Sequence, residues 1–176
     1  MKFEDFEKFI QKEFMEAVLK PFSPYIDHRR EHMGHYYPSY EIGVTTKLCK
    51  FLFAWEEGGG VMIAPLSSSF ENTHDSWFSL DRILCFVTRQ PFIWESPYES
   101  LPRNEQIIST LYATRKALAP YVNQIVLMFS SEETMSRWIL DYEHYEDEQF
   151  KSKYPALYEA YKRDKQVRKL KKRRNN

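Results

Sequence analysis

The sequence predicts an α+β fold: a small antiparallel sheet of three to four strands, at about residues 40–65, packed against an amino-terminal helix and several carboxy-terminal helices. Three observations carry this. β-branched and aromatic residues gather between Tyr40 and Ala64, apolar residues recur at three- and four-residue steps ahead of that stretch, and the same helical spacing returns after residue 76. A chain of 176 residues with 43% apolar content suits one domain. A domain of about this size buries roughly 68–70% of the surface its unfolded form exposes, enough to fold without disulfides or a structural metal.

Phe3, Phe6, Ile10, Phe14, Ala17 and Val18 form the stripe of the first amphipathic helix, with Glu4, Glu7, Lys8, Gln11 and Lys12 between them, and Pro21 ends it. Residues 21–40 mix prolines, histidines and tyrosines without a sustained period, which predicts a loop with a short helical turn about residues 27–33. Strands are expected at 40–46, 48–55 and 61–64, the last two joined across Gly58, Gly59 and Gly60 as a hairpin. Cys49, Phe51, Phe53 and Trp55 share one face of the central strand. Leu48, Leu52 and Ala54 share the other with Lys50, so one face is covered and the other partly so.

A serine-rich loop follows at 65–75. Phe78, Ile83, Leu84, Phe86 and Val87 then predict a short helix with Ser79 as N-cap and Asp81 in its first turn, stopped by Pro91. Asn104 is expected to cap the next helix, whose stripe is Ile107, Ile108, Leu111, Tyr112, Arg115 and Leu118, and Pro120 ends or kinks it. Residues 122–129 suit either a buried strand or a short buried helix, and the helix is preferred. Ser130 with Glu133 has capping-box spacing ahead of Met135, Trp138, Ile139 and Tyr142. Leu157, Tyr158, Tyr161 and Val167 mark a last helix over 154–170.

The formal net charge is zero, but it is unevenly spread. Residues 162–176 hold nine basic residues and one acid, while residues 1–161 hold 16 basic and 24 acidic residues. A globular body at 1–161 with a net charge of −8 therefore precedes a basic helical or disordered tail at 162–176 with +8. No apolar run approaches the roughly 20 residues of a membrane helix, and acids at Glu4 and Asp5 replace the apolar core of a secretory signal, so a cytoplasmic protein is expected. Cys49 and Cys85 each lie in an apolar run and read as buried thiols.

Five groups of residues bear on a functional reading. His28, His32 and His35, beside Asp27 and Glu31, could ligate a metal if residues 27–35 were helical, since i and i+4 then share a face; otherwise they are structural or surface histidines. Ser67, Ser68 and Ser69 stand near His74 and Asp75, but no G-x-S-x-G frames them, and they read as loop. The glycine run lacks the Lys-Ser/Thr of a phosphate-binding loop. Lys165, Arg168, Lys169, Lys171, Lys172, Arg173 and Arg174 suit contact with nucleic-acid phosphates, or else a solvated helix end facing the acids at 141–148. Tyr36, Tyr37, Tyr40 and Tyr98 fall in expected loops or at element ends, where an aromatic with a polar tip can anchor a protein partner.

An acidic, aromatic-rich, motif-poor domain of this size resembles bacterial toxin-immunity and antitoxin-like proteins in general make-up. The first expectation is a non-enzymatic interaction module whose acidic body, with a net charge of −8 through residue 161, binds a basic partner and needs no cofactor. Nucleic-acid association through the tail is the second expectation, and a metal-dependent enzyme built on His28, His32 and His35 the third.

Overall fold

The computed structural model describes residues 1–33, 38–55, 60–71, 76–90 and 102–163. It is α+β, with a five-stranded antiparallel sheet. Contacts divide the chain into two compact units, Met1–Met135 and Ser136–Asn176.

In the first unit, helix α1 (Phe3–Ile10) continues as a π-helical segment (Gln11–Leu19) and closes with a 3₁₀ turn at Lys20–Phe22. The widened winding explains a departure from the expected stripe. With i→i+5 bonding, the inward positions step from Glu13 and Phe14 to Val18 and Leu19, all buried, while Ala17, which an α-helical period would bury, is exposed. Ser23, at φ 53°, then turns the chain into the sheet.

Strands β1 (Tyr25–Met33), β2 (Pro38–Thr45), β3 (Cys49–Trp55), β4 (Gly60–Pro65) and β5 (Phe78–Ser79) lie side by side in sequence order. β1 corrects the expectation of a loop with a helical turn at 27–33. Its exposed Asp27, Arg29, Arg30, Glu31 and His32 hide the alternation that marks an internal strand, but charge is well tolerated at a sheet edge. What makes this segment a strand is its pairing with β2, from Tyr25 opposite Thr45 to Met33 opposite Pro38, with a bulge at Asp27. The β3–β4 hairpin is as expected, Ala54 lying opposite Gly60.

β3 is covered on both faces. Cys49, Phe51, Phe53 and Trp55 are buried on one, where the rings of Phe6 and Trp55 lie 5.3 Å apart and those of Phe14 and Phe53 4.7 Å apart. On the other, Leu52 and Ala64 form a second small core with Trp77, joined by Met62 and Phe70. This second cover comes from the serine-rich stretch, which folds back over the sheet. Lys50 Nζ donates to the Ser68 carbonyl at 2.7 Å, and Trp77 Nε1 donates to that of Ser69 at 3.0 Å.

The helices follow: α2 (Leu80–Thr88), α3 (Arg103–Leu118), α4 (Val122–Met128) and α5 (Glu132–Lys153). Ser79 occupies the N-cap position of α2 with Asp81 in the first turn, as expected, though its side chain makes no cap bond. Two caps are corrected. Pro102, not Asn104, precedes α3, with its fixed φ suited to a helix start. At α5 the capping hydroxyl is that of Ser131, which accepts from Thr134 N at 3.1 Å, while Ser130 Oγ donates back to the Leu127 carbonyl at 2.8 Å and so belongs to the end of α4.

Within the second unit, Trp138 and Tyr142 of α5 make an edge contact at 5.9 Å. A 3₁₀ turn at Pro155–Leu157 brings Tyr161 back onto Phe150, with centroids 4.1 Å apart, and Tyr161 OH donates to Asp147 at 3.2 Å. Lys151 and Lys153 stand in the last turn of α5, where cations complement the helix dipole. No described helix is long and apolar enough to cross a membrane.

Gly43 of β2 is required by close approach. A Cβ there would lie 2.5 Å from Phe70 Cε1 and 2.6 Å from His28 Cβ. Gly43→Ala should therefore lower stability by about 1–3 kcal/mol in urea unfolding. The loss should shrink in a Phe70→Ala background, and an equal loss in both would place the obstruction elsewhere.

Candidate interaction surface

The histidines proposed as a metal cluster are carried by β1, which changes their spacing. Four residues along a strand span about 13 Å, whereas four along a helix span about 6 Å. His28 and His32 therefore fall on the same sheet face two pleats apart, rather than on adjacent turns of a helix. His35 lies outside the described residues. The His28 ring stacks on Phe70 at 5.1 Å and 9°, and its Nε2 lies 3.5 Å from Glu41, so its surroundings are those of a packed side chain. Arg30 reaches both Glu41 and Glu71 at 4.0 Å. Among the described residues no three His, Cys, Asp or Glu side chains converge as a metal site would require.

Of the serines, Ser67 and Ser69 are exposed and Ser68 is buried, its hydroxyl without a partner among the described residues. His74 and Asp75 lie outside those residues. So do Tyr36, Tyr37 and Tyr98, and the tail residues Lys165, Arg168, Lys169, Lys171, Lys172, Arg173 and Arg174.

Tyr40 corrects the expectation of an exposed anchor. It is 4% exposed, its ring meets Phe3 and Phe6, and its hydroxyl donates to the Met1 carbonyl at 3.2 Å. Burial pushes that hydroxyl above its ordinary pKa, reinforced by the charges of Glu31 and Glu4. The physical reason is register: opposite Trp55 on β3, Tyr40 faces the amino-terminal helix rather than solvent.

A different tyrosine is presented at the surface. Tyr112 on α3 is 43% exposed, and its ring stands edge-on to Phe9 of α1 at 5.1 Å and 86°. The Arg115 guanidinium, one turn along, lies 5.7 Å from the Tyr112 ring centroid. Its Nη1 donates to Glu13 Oε2 at 2.6 Å, and the Glu13 side chain is only 10% exposed. The largely buried carboxylate thus fixes the guanidinium, and with Phe9 the ring has a rigid support on two sides.

Both Tyr112 and Arg115 stand in the helical stripe that the sequence displays, but periodicity ranks them as core. The signal that could have separated them is the arginine itself, which marks the solvent margin of the stripe. At the β1 edge of the sheet, Arg29 makes a bidentate contact with Glu7 at 2.9 and 3.0 Å, a hydrogen bond that raises its pKa above the ordinary arginine value.

Comparison with protein-family models, with curated proteins and with solved structures yields no match to this chain.

The two cysteines differ. Cys49 is fully buried and Cys85 partly exposed. Burial pushes the Cys49 thiol from 9.0 up to about 12, partly offset by Thr46. A raised folded-state value favours the protonated thiol, so this stabilising effect is complete below pH 9.0 and is lost as pH rises toward about 12. In native buffer a thiol reagent should label Cys85 and spare Cys49, with both labelled in denaturant. Fast native labelling of Cys49 would contradict its placement.

Proposed function

We propose that this chain is a protein-interaction module that binds a basic protein partner, in the manner its make-up shares with immunity proteins, with the Phe9–Tyr112–Arg115 cluster as the centre of the docking surface. The observation that carries this reading is a large aromatic ring left 43% exposed yet held by a ring on one side and an ion-paired guanidinium on the other. Tyrosine and arginine are the residue types that dominate binding hot spots, and a ring already fixed in place loses little entropy on docking. The excess of 24 acids over 16 bases through residue 161 supplies the long-range attraction that would steer a cationic partner.

The test is affinity capture from a lysate of the source cells with three full-length baits: the native chain, Tyr112→Ala, and a chain with Lys165, Arg168, Lys169, Lys171, Lys172, Arg173 and Arg174 changed to Gln. Each is run with and without nuclease. The expected result is one stoichiometric partner of basic composition, indifferent to nuclease and to the tail changes, whose affinity falls at least about tenfold with Tyr112→Ala. Capture that depends on the tail and vanishes with nuclease would replace this reading by nucleic-acid binding. A protein partner held equally by Tyr112→Ala would move the docking surface elsewhere.

A further inference from the structure

We infer that the outer edge of β1 pairs antiparallel with β1 of a second copy of this chain, in the register that sets Arg29 of each copy opposite Glu31 of the other. The sheet has two edges of unequal character. β5 is two residues long and leads directly into α2, whereas β1 runs for nine residues, and none of the backbone hydrogen bonds between described residues engages its outer side. Such an edge offers a ladder of donors and acceptors to any extended chain of suitable side-chain pattern.

The side chains select which chain. The bulge at Asp27 interrupts the ladder, leaving His28 to Met33 as the regular stretch. Two-fold pairing of identical strands must keep opposed residues on the same sheet face, so only registers centred on a residue are allowed. The two with the greatest overlap are centred on Arg30 and on Glu31. Centring on Glu31 places that carboxylate against its own copy, with Arg29 opposite Met33. Centring on Arg30 places Arg29 against Glu31 twice, on the face that carries α1.

On the other face the same register sets His28 opposite His32 and Arg30 opposite itself. Each Arg30 brings its own countercharge, lying 4.0 Å from both Glu41 and Glu71. Glu31 is exposed, and Arg29 is half exposed while its Nε and Nη2 hold Glu7 at 2.9 and 3.0 Å, so a neighbouring strand meets the Glu31 carboxylate and the outer side of an already oriented Arg29 guanidinium. The charges that would turn away an unrelated strand thus form a self-complementary code at one register.

Sedimentation velocity of the full chain over a concentration series tests this directly. The native chain is expected to show a monomer–dimer equilibrium. Glu31→Arg turns both cross-strand pairs into like pairs and should weaken the dimer at least about tenfold while leaving the circular dichroism spectrum unchanged. An equimolar mixture of Glu31→Arg and Arg29→Glu chains restores opposite charges at both positions and should dimerise where Glu31→Arg alone does not. A native chain that stays monomeric throughout, or an assembly indifferent to Glu31→Arg, would overturn the inference.

Discussion

The requirement that β3 be covered on both faces governs the rest of the first unit. Phe51 and Phe53 face the amino-terminal helix, while Leu52 on the same strand faces the opposite way, so neither side can be left to water without exposing a large apolar surface. Phe6 and Phe14 meet the first demand. Phe70 and Trp77 meet the second, from the chain that runs between β4 and α2.

The two covers differ in how they are held. The helix side is a continuous apolar packing of large rings, secured at its margin by Glu7 with Arg29 and Glu13 with Arg115. The opposite cover is a smaller apolar core of Leu52, Ala64, Trp77, Met62 and Phe70, with Phe70 against the bare backbone of Gly43, Lys50 on a carbonyl and an indole nitrogen on another. Phe70 is the hub of that side, since it meets His28, Lys50 and Trp77 as well as Gly43.

Much of this was legible in the amino-acid order, and the exceptions have physical causes. The strands at 40–65 and the helices after 76 follow from side-chain period, which the core enforces directly. β1 was not legible, because an edge strand owes its form to a neighbour and its charged side chains show no buried face. The inward turn of Glu13 was hidden by π winding, which shifts the period within a segment otherwise read as α-helix. The exposed Tyr112 was visible as an apolar position but not as a surface. Its exposure depends on how α3 meets the first helix, and its support comes through Arg115 from a carboxylate 102 residues before that arginine.

That separation bears on the order in which the fold assembles. Every neighbouring pair of strands in the sheet is also consecutive in the chain, so each pairing closes only a short loop. Loop-closure entropy grows slowly with length but must be met before a distant contact forms, and topologies rich in local pairings fold faster. The sheet can therefore zip from strand to strand, whereas the joining of Arg115 to Glu13 closes most of the first unit at once. Docking of α3 against the π-helical segment therefore carries a larger loop-closure cost than any strand pairing in the sheet, and the aromatic cluster it completes depends on that long-range closure.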